Sequence, residues 1–205
     1  CIYLLDIFLL YSIAASNSRI GFRGTEKLGA GLTAIWQIEN QVALDSGASN
    51  PLAARRSFVG LRGGFGTVRL GNMDTVYKDL GDPLGILSIS SGNFVSMSNV
   101  ISSRVPFGTS GAGSFHLRRG SSIYYNSPKF GGLELRAQYG PDEIRTGNLD
   151  ADLWSVGAVY QRGALEVSLA HEIHNDFFAG SNGAPAVANP TTGAGSVHSK
   201  DTSTR

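Results

Sequence analysis

The chain has 205 residues, 16% of them charged, a formal net charge of +1 and 27 glycines. A near-neutral balance excludes a bulk polyelectrolyte role, so nucleic acid is not an expected partner. No window approaches the roughly 20 apolar residues of a membrane-spanning helix, and a single cysteine, Cys1, allows no intrachain disulfide.

The N-terminal run Ile2 to Tyr11 is apolar apart from Asp6. It lacks the basic n-region and the clear cleavage site of a signal peptide, and reads as a first strand. Ser18 to Glu26 is the next expected strand, with Ile20 and Phe22 on one face and Arg19, Gly21 and Arg23 on the other. A turn over Lys27 to Gly31 leads into a strand over Leu32 to Leu44. There Leu32, Ala34, Trp36 and Ile38 oppose Thr33, Gln37 and Glu39. A polar loop, Asp45 to Ala53, precedes a strand over Ala54 to Arg62. A turn over Gly63 to Gly66 precedes one over Thr67 to Gly71, where Arg69 opposes Val68 and Leu70.

A segment without strand alternation follows, from Asn72 to about Arg118, with a short helical piece expected over Thr75 to Leu80. Its apolar content implies packing rather than a free linker. Strands resume over Ser121 to Asn126, Leu133 to Tyr139, Leu153 to Tyr160 and from Leu165 to Leu169. Residues 175 to 205 read as loop. The connections alternate between short and long, as in an outer-membrane barrel with tight turns on one rim and long loops on the other. Strands that are apolar on one face and carry arginine on the other suit a closed barrel in lipid around a watery lumen.

Several stretches together resemble the general diffusion porins of Gram-negative bacteria, of the β-proteobacterial and neisserial type. They are Ser18-Arg-Ile-Gly-Phe-Arg-Gly-Thr-Glu26, Leu28-Gly-Ala-Gly-Leu-Thr-Ala34, Glu39-Asn40 and Arg55-Arg-Ser-Phe-Val-Gly-Leu61. Phe65-Gly-Thr-Val68, Leu70-Gly71, Ser122-Ile-Tyr-Tyr-Asn-Ser-Pro-Lys-Phe-Gly-Gly132 and Gln138-Tyr139 continue the series in family order. The resemblance implies an all-β fold, an antiparallel transmembrane β-barrel of sixteen strands. It also implies a homotrimer and a third loop folded into the lumen. This chain reads as about the first half of such a barrel, a single incomplete domain over 1–205. Residues 72–118 stand where the constriction loop belongs, and residues 175–205 stand for an external loop.

The resemblance implies a pore-lining set. Arg19 and Arg55 match its wall arginines and Glu39 an inward carboxylate. For Arg19, Arg23 and Arg69 alternation independently points inward, whereas for Arg55 it is ambiguous and only the resemblance places it there. Arg104, Arg118 and Tyr124 complete the candidate constriction. Asn72 stands where the family often has arginine. Residues Pro83 to Arg118 contain no Asp or Glu, where many members carry acids. A constriction without acids on that loop would favour anions.

The expected function is passive diffusion of small hydrophilic solutes through an outer-membrane channel. It would prefer inorganic or carboxylate anions, have lipid around it and need no cofactor. No nucleophile-elbow, phosphate-loop or metal-spaced motif points to an enzyme. His171 and His174 stand at i,i+3, which on a strand places them on opposite faces and argues against a metal pair. The alternative is a soluble β-sandwich binding module or adhesin, whose aliphatic faces would pack sheet on sheet.

Overall fold

The computed structural model describes residues 18–42, 52–81, 115, 118–141, 151–176 and 200–204. The expected first strand, Arg104 and most of the long third segment lie outside these residues.

Nine antiparallel strands form one sheet in sequence order. They are β1 (Arg19–Gly29), β2 (Leu32–Gln41), β3 (Ser57–Gly63), β4 (Gly66–Asp74), β5 (Arg118–Asn126), β6 (Leu133–Pro141), β7 (Asp152–Arg162), β8 (Leu165–Asn175) and β9 (Lys200–Thr204). Each strand pairs with its neighbour in the chain, so every ladder is a hairpin or an extended hairpin, and β1 and β9 have one partner each among the described residues. The β1–β2 turn is as tight as its glycines predict. Ala30 and Gly31 both take positive φ, 48° and 78°, the conformation that matches a two-residue turn to the twist of its strands.

Several boundaries differ from the sequence reading: β4 runs on to Asp74 and β5 begins at Arg118, both inside the segment read as lacking strand, and β8 runs on to Asn175. Residues 54–56 precede β3 rather than opening it. The stretch read as terminal loop contains β9, which pairs Glu172 with Ser203 and His171 with Thr204. Its Lys-Asp-Thr-Ser-Thr sequence carries no apolar alternation, and its strand character comes from the edge that β8 offers.

The register separates two faces throughout. Ile20, Phe22, Trp36, Val59, Leu61, Leu70, Ile123, Leu135, Trp154, Val156, Val167 and Leu169 all point to one face and are all exposed. That face is apolar and unpartnered across the whole sheet. The β-sandwich alternative requires these side chains to be packed against a second sheet, and none exists among the described residues.

The opposite face carries the polar side chains and is covered in part by a short helix, α1 (Val76–Leu80). Thr75 caps it, its hydroxyl accepting from the Lys78 amide at 3.2 Å. Val76, Tyr77 and Leu80 are buried beneath the helix with Met73, Phe115, Tyr124 and Ala170. The strands were built to receive it. The Tyr77 amide donates to Ser155 Oγ at 2.9 Å, and Ser168 Oγ donates to the Leu80 carbonyl at 3.1 Å. Tyr77 Oη and Ser203 Oγ are 2.7 Å apart, so β9 also holds the helix.

Gly157 supplies the remaining space. A β-carbon there would stand 2.5 Å from Leu80 Cδ1 and 2.9 Å from Val76 Cγ1. Gly157→Val is therefore expected to cost about 1–3 kcal/mol by overpacking and to lift α1 from β7. Thermal unfolding of the complete protein in detergent, followed by circular dichroism, checks this. An unchanged midpoint would show that α1 has room to move without loss.

Candidate functional site

The polar face carries three clusters of charge. The first joins β1 and β2 to the segment before β3. Glu39 Oε1 accepts from Arg55 Nε at 2.7 Å and lies 3.5 Å from Arg19 Nη1. Arg55 reaches this face because it lies outside β3, where strand alternation no longer governs it. The ambiguity in the sequence arose from counting it within the strand. Ser57 Oγ accepts from the Glu39 amide at 3.1 Å and ties the same two segments together.

The second cluster is at the root of α1. Asp74, at the end of β4, is 3.1 Å from Arg56 Nη2, 2.9 Å from Lys78 Nζ and 3.1 Å from Arg118 Nη2. Asp79, on the helix, pairs with Arg56 and accepts from the Tyr124 hydroxyl at 3.1 Å. Burial works against the Arg56 charge, but the Asp79 and Asp74 carboxylates outweigh it and hold the guanidinium above its ordinary pKa. Arg118 owes its position to a β-bulge. The β4–β5 register shifts between Gly71 and Met73, and this sets Arg118 opposite Asp74.

The third cluster lies in mid-sheet. Arg69 Nη2 donates to Asn126 Oδ1 at 2.6 Å. Its guanidinium carbon lies 4.3 Å from the Tyr124 ring centroid and 5.3 Å from that of Phe58, within the range of a cation–π contact. Asn126 in turn donates to Glu134 at 2.9 Å, and Glu134 is 2.7 Å from Arg136 Nε.

Of the candidates named from the sequence, Arg19, Arg23, Glu39, Arg55, Arg69, Arg118 and Tyr124 all belong to this face or its rim. Glu39 gathers Arg19 and Arg55, while Tyr124 stacks with Arg69 and bonds Asp79. Arg118 is joined to Asp74 rather than standing free. Arg23 has no carboxylate partner among the described residues. The residues missed were Asp74, Asp79, Arg56, Asn126, Glu134 and Arg136. The acid-free stretch runs from Pro83 to Arg118, whereas Asp74 and Asp79, which engage Arg56 and Arg118, stand earlier, on β4 and α1. Arg56 stands two residues before Phe58, and a period of two sets it on that face.

His171 and His174 both lie within β8. His171 Nδ1 is 2.6 Å from Thr204 Oγ1 on the apolar side. His174 is fully buried, 2.7 Å from Glu172 Oε1, and stacked on Phe115 with centroids 4.4 Å apart. They do lie on opposite faces.

With this geometry in place, comparison with known proteins is decisive for the family. The Gram-negative porin family profile matches residues 12–203. The chain belongs to the Gram-negative porins. The major outer membrane protein P.IB of Neisseria gonorrhoeae is 37% identical over 149 residues, 73% of this chain and 39% of the relative. The P.IB protein of Neisseria lactamica is 32% identical over 151 residues, 73% of this chain and 40% of the relative. The chain thus spans about two-fifths of these relatives. Among solved structures, the anion-selective porin from Comamonas acidovorans superposes with a TM-score of 0.53 at 27% identity, over 79% of this chain and 59% of that one. A loop-deletion mutant of OmpT from Vibrio cholerae gives 0.54 at 18% identity, over 79% and 46%, a likeness of fold alone. The porin sheet described above is part of a β-barrel of the bacterial outer membrane.

Asp79 joins the helix to the wall through both Arg56 and Tyr124. Asp79→Asn in the complete porin is expected to leave Arg56 with Asp74 as its remaining carboxylate partner, to add one net positive charge at the root of α1 and to loosen the helix. Single-channel recording should show a more anion-preferring current with larger open-channel fluctuations. A current identical to the parent's would show that the α1 root lies away from the ion path.

Proposed function

We propose that the complete protein is a water-filled diffusion channel for small hydrophilic solutes with a preference for anions, inorganic or carboxylate, and that it works as a homotrimer. The observation that carries the anion preference is the charge balance on the polar face of β1 to β4. Arg19 and Arg55 share one carboxylate, Glu39. Arg69 is held by an amide oxygen and two aromatic rings, with no ion pair to a carboxylate among the described residues. Arg23 has no ion-pair partner among the described residues. A row of guanidinium groups with surplus positive charge attracts anions, and its fork geometry suits carboxylate oxygens.

The acids at the root of α1 narrow this reading. Asp74 and Asp79 offset two of the three charges of Arg56, Lys78 and Arg118, leaving one net positive charge at the root of α1. The larger surplus, and with it the selectivity, rests on the arginines that face β1 to β4. The likeness to a porin described as anion-selective supports the same direction. The third segment, whose first turn is α1 packed on the polar face, is read as the constriction loop. Pore-lining roles are assigned to Arg19, Arg23, Glu39, Arg55, Arg69, Arg104, Arg118 and Tyr124. The trimer follows from the family resemblance.

The test is the reversal potential of the complete protein in a planar bilayer under a KCl gradient. Its sign should be that of chloride preference. Replacing Arg23 and Arg69 together by Gln should move it towards zero, and Glu39→Gln should move it further in the chloride direction. Cation preference in the parent protein would overturn the proposal. So would insensitivity to both substitutions.

A further inference from the structure

A hollow of about 140 Å³ lies on the polar face beneath the C-terminal end of α1. It is separate from the arginine row of β1 to β4. Its walls come from β6 and β8, with β7 between them as floor, so the walls stand two strand spacings apart, about 10 Å. On the β6 side are Arg136 and, from the preceding turn, Lys129. On the β8 side are Glu166 and Ser168, and Val159 of β7 lies on the floor. A water's share of liquid volume is about 30 Å³, so the hollow has room for several waters or for one solute the size of a small amino acid.

The charges in this hollow are already sorted. Asp79, at the roof, is occupied by Arg56 and Tyr124. Glu134 is occupied by Arg136 Nε and the Asn126 amide. The bond from Arg136 is made through Nε, and its terminal amino groups make no hydrogen bond among the described residues. Glu166 is touched only by the neutral Gln161 amide, at 3.3 Å, and meets no cation among the described residues. Cationic donors on one wall thus face a carboxylate on the other, with Val159 and Gln161 of β7 between them. A simple anion would gain from Arg136 and Lys129 and be repelled by Glu166. A simple cation would meet the reverse. A molecule carrying both charges a few ångströms apart satisfies both walls.

We propose that this hollow is a binding station for small zwitterions of the amino-acid class, whose carboxylate meets Arg136 and Lys129 and whose ammonium meets Glu166. This rests on the channel reading for access to the hollow, and it adds a class of solute that the arginine row does not select.

The test reads binding without reading conductance. The complete protein is folded in detergent and titrated with L-alanine, propionate and n-propylamine by ligand-observed NMR. Alanine is expected to bind at least about tenfold more tightly than either singly charged analogue, since each lost charge-assisted hydrogen bond weakens binding by that order. Glu166→Gln and Arg136→Gln should each abolish the advantage. Equal binding of all three ligands to the parent protein overturns the proposal, as does binding of none. A protein that binds alanine selectively but conducts no current in a bilayer would overturn the channel reading instead.

Discussion

Every feature of this protein depends on the pairing of each strand with its neighbour in the chain. In hydrocarbon an unpaired amide or carbonyl costs several kcal/mol, so a sheet that meets lipid must place all its backbone polar groups in ladders. Once the ladders are fixed in sequence order, alternation leaves no freedom about faces, because a slip of one residue would turn every side chain over. Arg69 and Leu70 are neighbours in the chain, yet they serve opposite solvents. The ladder of β3 with β4 pairs Arg69 with Gly60 and Leu70 with Val59, which keeps charge with small residues on one side and aliphatic pairs on the other.

The polar face could not be filled by the strands alone. The segment that leaves β4 turns at once into α1 and covers β7 and β8, so the sheet has an exposed apolar face and a partly buried polar one. This inversion of the soluble pattern explains why the small residues Ser155, Gly157, Ser168 and Ala170 lie under the helix. They allow its close approach and satisfy its backbone. It explains also why the acids at the root of α1 are paired. Asp74 and Asp79 are partly buried, and a carboxylate there needs cations close by to remain charged.

The two halves of the polar face are electrically different. On β1 to β4 guanidinium groups outnumber carboxylates, and on β6 to β8 acids and bases oppose one another across a hollow. The helix divides these regions, with Arg56 and Tyr124 both reaching to Asp79 at its flank. Tyr124 also stacks on Arg69, so the aromatic side chain links the arginine row to the helix that borders it.

The strands with strong alternation, the tight turns at glycine, the short helix after β4 and the division of side chains between two faces are all legible in the chain. These are local properties, set by a period of two and by backbone conformations that few residues adopt. The sequence also pointed to the arginines of β1 and β4, because each sits opposite an aliphatic run. The tertiary structure decided what those arginines touch. Asp74 and Asp79 could be matched to Arg56 and Arg118 only once the helix had folded back and the bulge in β5 had set the register. Arg55 could be placed only once it was seen to lie outside β3. Strand β9, whose residues carry no apolar pattern, became a strand because the edge of β8 needed backbone partners. Contacts between residues distant in the chain depend on register, bulges and the return of a loop, and a period of two does not encode them.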